Sequence, residues 1–300
     1  MTPAACLLLL VAANLLWGAG WVVAKLALSD LTPLQVSAWR MILAGLLALP
    51  WLVRLLRREA LPRSAWPRLA PLGGAGFVVA KFLGFWGLSL TTATDASLLM
   101  AVEPLLTIGL GVLVLGEPLG AGRLGAFAVG ACGAYLLIAG GWRWPGLSPA
   151  HVVGDLVFVL GLGAEAAYTV YGKSLLHRHS ATAVTLATVV ASLLFWLPLA
   201  GWDAAARGWP ALTGRGAAAL LILALGCTLL AYWAWFRALE RIDAGRAAMA
   251  IFIQPLWGAL LARLLLGEPL GSVTAAGGAL VMLSLYLALE TPARSLRPTR

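Results

Sequence analysis

Gly116-Glu117-Pro118-Leu119-Gly120 returns unchanged as Gly267-Glu268-Pro269-Leu270-Gly271, 151 residues later. Glu103-Pro104-Leu105 returns at the same interval as Gln254-Pro255-Leu256. Two motifs repeated in one register mark an internal duplication. A third correspondence, Trp17 to Lys25 with Glu165 to Lys173, stands at an interval of 148. The duplicated unit is therefore about half the chain, and its spans decide the architecture.

Those spans read as lipid-embedded. Of the 300 residues 61% are hydrophobic and only 11% charged, with a mean hydropathy of +0.92. A soluble domain carries about 25% charged residues, so this chain lacks the polar surface to dissolve. Apolar runs long enough to cross a bilayer fall at 4–28, 33–53, 69–90, 95–115, 119–140, 153–176, 181–200, 216–238, 245–266 and 271–289. Turn residues separate them, among them Asp30-Leu31-Thr32-Pro33 and Trp144-Pro145-Gly146. Backbone groups in lipid must bond within their own segment, which makes these spans helices. The expectation is an all-α polytopic protein of ten transmembrane helices. Its first five-helix repeat occupies 1–140, a linker 141–152, a second repeat 153–290 and a cytoplasmic tail 291–300. Because five is odd, the second repeat enters the membrane from the opposite side, an inverted-topology arrangement.

The net charge of +9 reflects topology. With the N-terminus cytoplasmic, 14 Lys and Arg fall in the inner loops and tail against 4 in the outer loops. That bias places both termini in the cytoplasm. No basic stripe suited to nucleic acid is present. Trp51, Trp66, Trp142, Trp144, Trp202 and Trp209 fall at predicted water boundaries, where amphipathic rings belong. The composition, rich in alanine, glycine, leucine and arginine, points to a bacterial cytoplasmic membrane. Cys6, Cys132 and Cys227 are scattered through apolar runs with no metal or CxxC spacing. No HExxH, GxSxG or Walker motif is legible, so neither a catalytic set nor direct ATP drive is indicated, and no cofactor or metal is expected.

The quoted residues resemble the EamA-type members of the drug/metabolite transporter superfamily. The match runs from Trp17-Gly18 and Lys25 through Arg40, Ala96, Pro104 and Gly116-Glu117, then the second-half proline Pro255 and Gly267-Glu268. The resemblance implies ten helices, no ATP-binding domain and movement of small metabolites, often outward. Some members are similar to amino-acid exporters; others move quite different solutes.

Ionisable and polar groups inside spans are costly and are functional candidates by default. Lys81 and Glu103 lie on consecutive spans at similar depth, roughly 15 and 12 Å from the same face. They are either a buried structural pair or groups that meet substrate, and Glu103 is the candidate for a coupling proton. Glu165 with Tyr168, Asn14 with Trp17, and Gln254 are candidate cavity residues. Trp86 and Trp235 could stack on a substrate or face lipid. Pro104 and Pro255, at matched positions, are candidate hinges, each expected to free the carbonyl four residues back, at Met100 and Ile251. Arg40 reads as structural or snorkelling, and Lys25 and Lys173 as interfacial. The function these features support is a secondary transporter. An integral-membrane enzyme, a channel or a scaffold is the alternative.

Overall fold

The computed structural model describes residues 1–27, 30–58, 66–90, 99–139, 152–209, 211–254, 257 and 272–290. Within them every regular element is helical and no strand occurs. In chain order these are α1 (Pro3–Ala27), α2 (Pro33–Arg58), α3 (Trp66–Gly73) and α4 (Ala80–Leu90), followed by α5 (Glu103–Leu115), α6 (Ala121–Ala139) and α7 (Val152–Leu175). Then come α8 (Ala181–Arg207), α9 (Gly214–Ile222), α10 (Ala231–Leu239), α11 (Ala244–Ala248) and α12 (Ser272–Glu290). Five described stretches are long and apolar enough to cross a membrane: Pro33–Arg57, Trp66–Gly87, Val152–Leu175, Ala181–Arg207 and Gly214–Leu239. The linker at 141–152, apart from Val152, lies outside the described residues, as do the 291–300 tail, Pro255, the second motif Gly267–Gly271 and the side chain of Lys25.

Two long helices are continuous through a π-helical stretch. Gly74–Val79 joins α3 to α4, and Leu223–Leu230 joins α9 to α10. Two 3-10 stretches, Met100–Val102 and Met249–Phe252, precede Glu103 and the Ile253-Gln254 pair. Positions 74 and 223 are 149 residues apart, as are 100 and 249, close to the interval of the sequence motifs. Wide and tight turns both alter which carbonyls are bonded along a helix, and they concentrate at functional sites.

Helix ends are closed by side chains. Thr32 and Gln35 form a reciprocal cap on α2: Thr32 N–H donates to Gln35 Oε1 (3.1 Å) and Gln35 N–H to Thr32 Oγ1 (3.3 Å). Gln35 Nε2 also donates to the buried Asp203 Oδ2 at 2.7 Å, tying α2 to α8. Ser180 and Thr213 cap α8 and α9 by accepting from Ala183 and Gly216 N–H. The predicted span at 181–200 extends to Arg207, so Trp202 sits within α8, well exposed on its surface.

The helices pack mostly across the two halves. α2 lies on α8, α6 on α12, the α3–α4 helix on α7, and α1 on the α9–α10 helix. Exchanging each first-half helix with its second-half counterpart maps this set of pairs onto itself. Small residues allow the close contact. At the α4–α7 crossing a methyl group on Gly161 would stand 2.8 Å from Gly84 N. The core between the halves is aromatic, with Tyr168, Tyr232, Phe77 and Phe236 fully buried and in mutual ring contact at centroid separations of 4.7–5.5 Å.

Candidate functional site

A cavity of about 110 Å³ opens midway along the bundle, walled by α1, α2, α4, α5, α7 and the α9–α10 helix. The α4–α7 crossing at Gly84 and Gly161 forms one wall. Because neither residue has a side chain, the neighbouring Lys81 and Glu165 reach each other across it. Lys81 Nζ lies 2.6 Å from Glu165 Oε2. The other Glu165 oxygen accepts a hydrogen bond from the Tyr232 hydroxyl of α10. Lys81 also stands 5.6 Å from the centre of the Tyr232 ring, a cation–π distance.

The aromatic side of the cavity depends on the π-helical stretch. Thr228 Oγ1 donates to Leu223 O, five residues back, at 2.9 Å. The Cys227 carbonyl accepts from Trp17 Nε1 at 2.9 Å, and Cys227 Sγ donates to Leu16 O at 3.1 Å. The Trp17 indole thereby reaches across from α1 and packs against Tyr232 and Trp235, with ring centres 5.1 and 5.3 Å away.

Of the residues singled out from the sequence, Trp17, Lys81, Glu103, Glu165, Trp235 and Gln254 line this one cavity. Asn14 stands behind it: fully buried, it accepts from Gln254 Nε2 at 3.0 Å and donates to Leu10 O. Tyr168 belongs to the aromatic core, its hydroxyl 3.0 Å from Thr188 Oγ1, and does not reach the cavity wall. Trp86 is a correction. It is 46% exposed on the outside of α4 beside Phe82 and is not a cavity residue, because α4 turns its Lys81–Gly84–Phe85 face inward.

The ion pair is also corrected. Similar depth made Glu103 a possible partner for Lys81, but α4 packs on α7, and Lys81 takes Glu165. Glu103 is buried on the cavity wall and, among the described residues, forms no ion pair. Pro104 sits in the first turn of α5, where its missing N–H costs nothing. The Met100 carbonyl, expected to be free, accepts from Glu103 N–H in the 3-10 turn. Arg40 does not snorkel: it is 7% exposed and lines the cavity.

A second cluster closes one end of the bundle, and it explains the Gly116-Glu117 motif. α5 ends at Gly116 with φ +66°, a left-handed conformation that glycine adopts without strain. The turn swings Glu117 under the start of α11. Its carboxylate accepts from Ala244 and Gly245 N–H at 2.7 and 3.1 Å, the anionic cap that a helix N-terminus favours. Lys173 Nζ lies 3.2 Å from Glu117 Oε1 and 3.9 Å from Asp243 Oδ1. Arg123 bridges Glu117 (3.4 Å) and Asp243 (3.0 Å). The reading of Lys173 as interfacial is thus replaced by a place in this buried lock. The lock joins α6, α7, the end of α5 and the start of α11, so elements from both halves meet in it.

The sequence profile of the EamA-like transporter family matches this chain twice, over residues 4–139 and 152–289. An uncharacterized transporter of Archaeoglobus fulgidus is 29% identical over 281 residues, covering 93% of this chain and 96% of its own. A probable amino-acid metabolite efflux pump of Salmonella typhimurium is 27% identical over 285 residues, 90% of each chain. A probable terminal-alkyne amino-acid exporter of Streptantibioticus cattleyicolor is 28% identical over 261 residues, 87% of this chain and 82% of its own. A solved crystal structure superposes with a TM-score of 0.77 at 19% identity over 96% of this chain and 97% of that one, a likeness of fold. With a family match over both halves and helices fit to cross a bilayer repeatedly, the chain is a multi-pass membrane protein and belongs to the EamA-like transporter family.

Proposed function

We propose that the protein is a secondary active transporter that carries a small metabolite across the bacterial cytoplasmic membrane by alternating access. The observation that carries this reading is the mid-bundle cavity, lined with charged side chains from both halves, with the Glu117–Lys173–Asp243–Arg123 lock at one end of the bundle. Binding at the centre of an inverted repeat, with one end closed at a time, is how such transporters work. The self-mapping helix pairs, the π and 3-10 stretches near 150-residue intervals and the repeated motifs support ten helices in two inverted repeats, 1–140 and 153–290. Both termini are cytoplasmic in this reading, which puts the lock at the cytoplasmic end and opens the cavity outward.

The names of the relatives from Salmonella typhimurium and Streptantibioticus cattleyicolor support an amino acid or related compound as substrate, moved outward. Glu103, buried on the cavity wall and, among the described residues, in no ion pair, is the group to carry a coupling proton. Flux in proteoliposomes tests the reading: an imposed pH gradient drives amino-acid movement by the wild type, and Glu103→Gln loses the pH-driven component. Full pH-driven transport by Glu103→Gln removes Glu103 as the coupling site.

A further inference from the structure

The cavity holds polar groups that its own walls leave unmatched. Lys81, Glu165 and Tyr232 satisfy one another. Arg40, by contrast, forms no ion pair among the described residues, and its Nε has no hydrogen-bond partner. Trp235 Nε1 is likewise a buried donor without an acceptor. Both residues line the cavity, at 7% and 2% exposure. On the same cavity stands Glu103, 8% exposed and, among the described residues, in no ion pair. An uncompensated buried charge is strongly unfavourable, and each unsatisfied buried group in a native fold calls for an explanation. Arg40 is placed seven residues into α2, about 10 Å from its start.

We infer that Arg40, assisted by the Trp235 indole N–H, binds the anionic group of a zwitterionic substrate whose ammonium faces Glu103. The inference rests on the cavity being the substrate site, as proposed above, and adds to it the residue that selects for a carboxylate. A guanidinium is suited to the task, since its planar fork matches a carboxylate with two parallel bonds. With Lys81 and Glu165 paired to each other, Arg40 and Glu103 are, among the described residues, the charged cavity groups outside any ion pair. A monoamine would leave Arg40 bare, and a monocarboxylate would leave Glu103 bare. Each loss corresponds to about tenfold to a hundredfold in affinity. The adjoining Trp17, Tyr232 and Trp235 rings and the ~110 Å³ volume then select a compact, partly apolar side chain.

The test is a thermal-shift screen of the full-length protein in detergent, with apparent stability reporting binding to the folded state. Three series are compared: the twenty L-amino acids, the amines that lack their α-carboxylate, and the acids that lack their α-amino group. For the wild type, at least one amino acid binds tenfold or more tightly than its amine and its acid. In Arg40→Gln the amino acid falls to the affinity of its amine, whose own binding is unchanged, and Arg40→Lys recovers part of the difference. Ligand-free Arg40→Gln melts no lower than wild type, because it removes an unpaired buried charge; a purely structural arginine would give a lower melting temperature. Equal wild-type binding of amino acid and amine overturns the inference without any variant. So does an Arg40→Gln protein that keeps the tenfold preference, and both outcomes leave the cavity as the site. No shift from any of the three series overturns the inference and the cavity reading together.

Discussion

Lys81 and Glu165 are 84 residues apart in the chain, yet Lys81 Nζ stands 2.6 Å from Glu165 Oε2, with Tyr232 bonded to the second carboxylate oxygen. Removing either charge strands the other inside the bundle. Breaking a buried pair costs about 3–5 kcal/mol, and partial exposure of both side chains puts this one near the lower end. Lys81→Met and Glu165→Gln should each lower the melting temperature by several degrees. The charge-reversed double variant Lys81→Glu/Glu165→Lys should recover part of the loss, as a double-mutant cycle by scanning calorimetry would show.

Glu117 joins the end of α5 to the start of α11, and its loss should open that end of the bundle. Cys227 lines the cavity and serves as the reporter. With Cys6 and Cys132 replaced by alanine, a membrane-impermeant maleimide should label Cys227 from one side of a sealed vesicle. In Glu117→Ala, labelling should also proceed from the other side, several-fold faster than in the parent, as measured by intact mass.

Gly116 adopts φ +66°, where a β-carbon costs about 1–2 kcal/mol. Gly116→Ala should therefore destabilise by about that amount in thermal unfolding, and Gly116→Asn by less, because asparagine tolerates the left-handed region. Equal stability of all three proteins would show that the turn at the end of α5 is not what positions Glu117.

Gly161 meets Gly84 so closely that a methyl group on it would stand 2.8 Å from a backbone nitrogen. Gly161→Ala should push α7 from α4, stretch the Lys81–Glu165 contact and cost about 1–3 kcal/mol. Gly163, which faces open space on the same helix, should accept alanine without loss, and thermal melts of the two variants compare them directly.

Much of this was legible in the sequence, because lipid makes strict demands. A run long enough to span must be apolar and helical, and each charge within it stands out; hence Lys81, Glu103 and Glu165 are each legible as candidates. What the sequence left open was azimuth. Depth along a span follows from residue count, but the face does not, so from sequence Glu103 rather than Glu165 is a possible partner of Lys81, and Trp86 is suited to cavity or lipid alike. Arg40 reads from sequence as structural or snorkelling because nothing along α2 shows that its face turns to the cavity. Tyr232 is not legible as a site residue because a tyrosine in an aromatic run carries no sign of its carboxylate partner. The lock was hidden for another reason. Glu117 and Asp243 lie in separate turns, and Arg123 and Lys173 near the ends of α6 and α7, so no one stretch of sequence shows that the four meet.

The central claim is that the mid-bundle cavity carries the substrate. Counterflow of radiolabelled amino acids in proteoliposomes tests it most directly, comparing wild type with Ala80→Phe, which fills the cavity wall between α4 and its neighbours. The account predicts that wild-type vesicles preloaded with unlabelled substrate transiently accumulate label, and that folded Ala80→Phe, with an unchanged elution profile, accumulates none. Undiminished counterflow by Ala80→Phe would contradict the account and move the transport path elsewhere in the molecule.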